Sequence, residues 1–337
     1  MRAKQLAACV AALVAGALLA PGGVHADPVK IRQSYIVSVA NWATILFAKP
    51  EMAKHLGKSY TFEAVHFQST PTLIQALAAN EIEVANLGFT SLPLAITNAK
   101  MDDLRIFADE LQDGAPGYYS NEYMVLKDSP IKKVEDLKGK VLVTNGYGSG
   151  TDIPLRIMLA KHGISDKKDV NIIEAPIPTM GAMLNERKAD LVAWVLPFTA
   201  NPQATANLRT LFTAGDAVGV NQLGMWVAKS EFIAKNRAAV IDFLEDALRA
   251  ERWYFDPANH QEALAIAAKI TKQPPESLGW VFTKGDFYRN PNGRPDLPAI
   301  AADLRMEKEL GYLKTDIDVP KYADLSIVDE ASKRLEK

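Results

Sequence analysis

The chain reads as an α/β protein of two lobes, each a mainly parallel sheet flanked by helices. Three observations predict this. Strands and helices alternate along most of the sequence, the alternation restarts near residue 140, and one strand–helix unit recurs at an offset of 107 residues. With 337 residues, 48% hydrophobic and 23% charged, the chain is long enough for about two domains with cores of their own. A formal charge of −2 leaves no electrostatic footprint for nucleic acid, and no lysine-rich run suggests a membrane surface.

Taken in order, residues 29–33 alternate like a strand, and 42–56 read as a helix ended by Gly57. Residues 60–67 form a second strand. Pro71 then opens a helix with Leu73, Ile74, Leu77 and Ala78 on one face. A short strand over 84–87 leads through Gly88 into a helix start at Thr90 and Ser91, with further strands over 104–108 and 123–126. The second half repeats the scheme: strand 140–144, helix 151–162, strand 170–173, a helix from Pro178, and strand 189–194. Pro71-Thr72-Leu73 pairs with Pro178-Thr179-Met180, Leu77 with Leu184, and Glu83-Val84 with Asp190-Leu191. Phe89-Thr90 and Phe198-Thr199 recur two residues out of step. After a strand at 225–228 the chain is mainly helical, over 238–255, 261–271 and 298–310.

The N-terminus reads as a secretory signal. Arg2 and Lys4 precede an uncharged apolar run over 6–20, followed by Pro21-Gly22-Gly23 and Val24-His25-Ala26, with cleavage expected after Ala26. The run is too short for a typical span. Leu6-Ala7-Ala8-Cys9 imitates a lipobox, but its apolar core follows the cysteine instead of ending there. Removal takes away Arg2, Lys4 and Cys9, leaving a formal charge of −4 and no thiol for disulfides, metal or catalysis.

Four strand-to-helix turns carry hydroxyls: Gln68-Ser69-Thr70, Gly88-Phe89-Thr90-Ser91, Gly148-Ser149-Gly150-Thr151 and Pro178-Thr179. Ser and Thr cap helices for purely structural reasons. Four equivalent turns across two lobes, however, point to a shared cleft whose free amides favour an anion. Gly146-Tyr147-Gly148-Ser149-Gly150 lacks the Gly-Lys-Ser/Thr ending of a phosphate loop, and Thr151 stands where a dinucleotide fingerprint needs its third glycine. Aromatic residues crowd the same strand ends (Tyr35, Trp42, Phe67, Phe89, Tyr118, Tyr119, Tyr147, Trp194, Phe198, Trp226), suggesting an apolar pocket wall and an organic guest. Catalysis has little support. His55, His66, His162 and His260 are too scattered for metal-ligand spacing, and Ser149 lies outside a Gly-x-Ser-x-Gly elbow.

The stretch 75–88 (Gln75-Ala76-Leu77-Ala78-Ala79-Asn80-Glu81-Ile82-Glu83-Val84-Ala85-Asn86-Leu87-Gly88) resembles the hallmark of the nitrate/sulfonate/taurine periplasmic binding proteins. So do Asp128-Ser129-Pro130-Ile131, residues 134–140, Gly148-Ser149-Gly150-Thr151, Ala189-Asp190 and residues 322–326; the resemblance covers nearly all of 28–332. It implies a type II periplasmic binding protein fold and a soluble, monomeric solute-binding component of an ABC importer. That component would work in the periplasm with a membrane permease, without cofactor, metal or nucleic acid. The lobes would be 27–127 with 223–337, and 128–222, closing like a trap about crossing strands near 123–127 and 223–227.

Carried over by position, the ligand contacts would be Tyr35, Asn41, Trp42, Gln68, Phe89, Thr90, Ser91, Ser149, Gly150, Thr151, Trp194, Phe198 and Trp226. Tyr118 and Tyr147 depart from the sulfonate binders and shift the expected guest from an alkanesulfonate towards an aromatic sulfonate or carboxylate. Arg32 or Arg156 would be the cation to complete an anion site. Two other readings share the fold: the pyrimidine-precursor synthases of thiamine biosynthesis, which the cysteine-free mature chain disfavours, and a periplasmic sensor that docks a receptor.

Overall fold

The computed structural model describes residues 27–336, so the signal expected over 1–26 lies outside the described residues. The first half runs β1 (Val29–Tyr35), β2 (Tyr60–His66), α1 (Thr70–Ala78), β3 (Ala85–Leu87), α2 (Leu92–Thr97) and β4 (Leu104–Asp113). The second runs β5 (Glu122–Leu126), β6 (Val141–Thr144), α3 (Ile153–Lys161), β7 (Asn171–Glu174), α4 (Met180–Asn185), β8 (Leu191–Trp194), α5 (Pro202–Thr205) and β9 (Leu208–Thr213). The chain returns through α6 (Ala214–Val218) and β10 (Asn221–Lys229), then α7 (Ser230–Phe255), α8 (His260–Thr271), α9 (Leu297–Glu309) and α10 (Ser326–Arg334).

The two sheets share one topology. The second is ordered β7-β6-β8-β5-β9. In the first, β2 pairs with β1, β10 pairs with both β3 and β4, and the parallel bridge Gln33–Val84 joins the two sets as β2-β1-β3-β10-β4. The 107-residue echo therefore falls on equivalent units, α1–β3 and α4–β8. Each sheet contains one strand antiparallel to its neighbours: β10 in the first and β5 in the second. Each of these is the first strand laid down after the chain changes lobe.

The crossings consequently lie earlier than the sequence suggests. Residues 123–127 belong to the second sheet and 223–227 to the first, so the chain passes between lobes at 114–121 and 214–220. The two passages touch. A Cβ on Gly114, held at φ +74°, would stand 2.4 Å from the Gly219 carbonyl oxygen. The Asp113 carboxylate accepts from the Asn121 N–H at 3.1 Å and from the Ser120 hydroxyl, whose oxygen in turn accepts from Gly215 N–H at 2.9 Å.

One expected helix does not form. Over 42–56 there are two short 3₁₀ turns, Trp42–Thr44 and Pro50–Met52, because Pro50 lacks an N–H and pushes Lys49 out of the helical region (φ −105°, ψ 89°). Strand β9 and helix α10 lie where the pattern is too short or too polar to announce them.

Candidate functional site

A cavity of about 100 Å³ lies between the lobes. Its walls are the loops that leave the carboxyl ends of both sheets. The first lobe contributes the loop after β1 (Ile36, Asn41), Thr70 at the start of α1, and Gly88, Thr90 and Ser91 after β3; the second contributes Asn145 and Ser149–Thr151 after β6, Ile177, and Val195–Leu196 after β8. This is the position at which open α/β sheets hold their ligands. A second chamber of about 290 Å³ adjoins it, sharing Ile36, Val37 and Ile177 and extending to His66, Gln68 and Phe198.

Two asparagines facing each other across the cavity have their carbonyl ends occupied by the protein. In the first lobe, Asn41 Oδ1 accepts from the Ile36 and Val37 N–H groups, both at 3.0 Å. In the second lobe, Asn145 Oδ1 accepts from the Ser149 hydroxyl at 2.8 Å and the Thr151 hydroxyl at 2.7 Å. Each carboxamide is thereby fixed with nitrogen donors left for the cleft: Asn145 Nδ2 makes no protein hydrogen bond among the described residues, and Asn41 Nδ2 spends one of its two N–H groups on Glu110 Oε2 at 3.2 Å. Asn86 Nδ2, buried in the same wall, has no protein partner. Among the described residues, the Thr90 and Gly150 N–H groups also lack an intramolecular acceptor. The cavity is thus rich in hydrogen-bond donors, against an apolar side formed by Leu111, Leu196, Leu223 and Phe287.

No residue lining the cavity carries a charged or titratable side chain. The two candidate cations are engaged elsewhere: Arg32 with Glu83 at 2.5 Å, and Arg156 with Asp152 at 2.8 Å and Asp166 at 2.5 Å. Asp152, whose carboxylate also accepts from Gly148 N–H at 2.8 Å, helps shape the glycine loop; burial raises its pKa against the pull of Arg156. Among the described residues that line the cavity, none pairs a hydroxyl with a titratable side chain placed to act as its base.

The structure brings six of the expected contacts together around this cavity: Asn41, Thr90, Ser91, Ser149, Gly150 and Thr151. Gln68 and Phe198 line the adjoining chamber. The remaining aromatics are elsewhere. Trp42, Phe89 and Trp226 are fully buried in the core, Trp42 stacked on Phe282 and Trp226 against Phe243. Trp194 stacks on Phe198 behind the cavity wall, its indole N–H donating to the Ile177 carbonyl at 3.3 Å. Tyr35 packs on His66, and Tyr118 packs on Tyr288 beside a separate surface cavity. Tyr147 is 48% exposed, its hydroxyl donating to Ile172 at 2.9 Å. Burial of apolar area accounts for the placement of these aromatic side chains away from the cavity lining. Asn86, Asn121, Asn145, Leu223, Gly224 and Phe287 line the cavity without having been singled out. For Asn145 a signal existed, since it directly follows β6 at the start of a loop, whereas Asn86 is the middle residue of β3.

The histidines also differ from expectation in one case. His55 meets Asp242 and Glu245 on the outer face of α7, their ligand atoms all within 4.8 Å. Arg334 already pairs with Asp242 there at 2.9 Å and with Glu245 at 3.5 Å, so the carboxylates have a cation without a metal.

The NMT1-like family matches residues 26–268 of the chain. The taurine-binding periplasmic protein of Escherichia coli (strain K12) is 26% identical over 272 residues, spanning 79% of this chain and 80% of that protein. The periplasmic nitrate-binding protein NrtA from Synechocystis PCC 6803 shares the fold with a TM-score of 0.73 at 17% identity, covering 92% of this chain and 89% of that one. So does the desulfurization enzyme DSZB, with a TM-score of 0.64 at 12% identity over 91% of this chain and 99% of that one. The fold alone therefore does not separate capture from turnover.

Proposed function

We propose, from the premise that the chain belongs to the NMT1-like family, that it is the extracytoplasmic solute-binding component of an ABC importer and captures a small organic anion, of sulfonate type, between its lobes. The observation that carries this reading is the pair Asn41 and Asn145. Both have their acceptor ends occupied by protein donors, so the cavity offers donors to a guest rich in acceptor oxygens. The similarity to a taurine-binding protein supports the same class of guest. The volume of about 100 Å³ favours a compact aliphatic sulfonate over an aromatic one, since Tyr118 and Tyr147 do not reach the cavity.

Binding without turnover is supported by the absence of any titratable side chain among the lining residues. The working form would be a periplasmic monomer from which residues 1–26 have been removed, delivering its solute to a membrane permease. A melting-temperature screen of residues 27–337 against taurine, ethanesulfonate, nitrate and aromatic sulfonates tests the reading. A ligand at a hundred times its Kd adds about 2.7 kcal/mol to stability, so the true guest should raise Tm in a concentration-dependent way. No stabilisation by any anion, or chemical conversion of the bound compound, would overturn it.

A further inference from the structure

Glu110 of β4 is fully buried one layer beneath the cavity. Its Oε1 accepts from the Trp42 N–H at 2.9 Å and its Oε2 from Asn41 Nδ2 at 3.2 Å. Gly224 forms part of the cavity wall, and a Cβ there would stand 3.2 Å from the same Oε2. Only a glycine backbone and one carboxamide therefore separate this carboxyl from the guest. The charged groups around it are Asp109 on the same strand, Glu251 on α7, and Arg289, which is already paired with Asp286 at 3.1 Å. No cation hydrogen-bonds to Glu110 among the described residues.

We propose that Glu110 is a specificity-determining residue that couples capture of the anion to uptake of a proton. The carboxyl group holds Asn41 in place beneath the guest, and its ionised form repels that guest. The inference rests on the proposed capture of an anion in this cleft.

Burial raises the Glu110 carboxyl to about 7, against the hydrogen bond from Trp42 and the charge of Arg289. A raised acid loses its proton as pH climbs through neutrality, and negative charge then appears close to the guest. Affinity for a sulfonate should therefore fall as pH rises. Two unit charges about 8 Å apart in a medium of dielectric between roughly 20 and 40 repel by an amount that corresponds to roughly a tenfold loss. Asp109, raised by burial to about 6, titrates nearby, so the contribution of Glu110 has to be isolated by substitution.

The test is calorimetry at pH 6, 7 and 8 with ethanesulfonate, whose charge is constant across the range, and with taurine, whose sulfonate charge is constant while its amine begins to titrate only at the upper end. It uses two buffers of different ionisation enthalpy, on the wild-type mature protein and on Glu110→Gln. The expected result is affinity about fivefold weaker at pH 8 than at pH 6, approaching the tenfold limit only at higher pH, with fractional proton uptake near pH 7. In Glu110→Gln both the slope and the uptake should disappear. Sulfonate binding with a flat pH profile and no uptake overturns the role of Glu110 and leaves anion capture standing. Uptake that persists in Glu110→Gln overturns it as well. No binding of either sulfonate at any pH overturns both readings. Should Glu110→Gln fail to fold, Asp109→Asn decides: a pH slope and proton uptake that persist without Asp109 support Glu110, and their loss overturns its role.

Discussion

A Cβ on Gly150 would stand 2.4 Å from Cδ1 of Leu223, across the gap between the lobes. The same closeness recurs along the loop. A Cβ on Gly146 would lie 2.9 Å from Ser69 Cβ, and one on Gly148 would lie 2.4 Å from Leu94 Cδ1. All three partners belong to the first lobe, whereas the loop belongs to the second. The glycines that superficially imitate a phosphate loop thus allow two lobes to meet around a cavity, with small size, not phosphate contact, as their purpose.

Gly150→Ala should therefore weaken solute binding by about 1–3 kcal/mol, the usual cost of an overpacked contact, because the strain falls on the juxtaposed lobes. Leu223→Ala in the same chain should recover most of the loss. Calorimetry on the single and double variants gives the coupling energy directly; additive effects would show that the two residues do not limit closure.

Asn145→Asp should be far more damaging to anion binding than Asn145→Ala. The alanine loses the amide donors and releases Ser149 and Thr151, about 1–3 kcal/mol for hydrogen bonds to a charged guest. The aspartate keeps those two hydroxyls in place and replaces the donors with negative charge. Equal affinities for the two variants would mean that Asn145 only organises its loop.

Much of the fold is legible in the sequence because the sheets are repetitive: the offset of 107 residues ties α1–β3 to α4–β8. The crossings were misplaced by several residues because Tyr123 and Trp226 look alike as strand residues whichever lobe their strand joins. The hydroxyl turns led to Thr90, Ser149 and Thr151, since helix starts at strand ends have a local signature. The aromatics misled, because pattern alone does not say on which side of a sheet a tryptophan is buried. Phe287 reaches the cavity from a loop more than 60 residues beyond β10's neighbours in the wall, and only tertiary packing places it there.

Trp226→Ala separates these two roles. Its indole packs against Phe107 and Phe243 with no exposure, so truncation should cost about 3–5 kcal/mol of stability. If the variant folds, affinity for a sulfonate should stay within a few-fold of wild type. A large loss of affinity with an unchanged Tm would return Trp226 to the pocket.

On α9, Asp303 and Glu307 face the interior four residues apart, each 3% exposed and each with a carboxyl oxygen lacking a partner. Burial raises Asp303 to about 8, with Asp296 adding to the shift, and raises Glu307 to about 9, with Asp303 adding to it. Because the folded chain holds these protons to higher pH than the unfolded chain does, it binds more protons between about pH 4 and 9. Stability contributed by the pair is therefore greatest in mild acid and declines as pH rises through that window. Asp303→Asn with Glu307→Gln should raise Tm at pH 8 by several degrees and by much less at pH 5. Melting curves at the two pH values check this; a gain equal at both, or a loss at pH 8, would show that the carboxyls are ionised and paired in the folded chain.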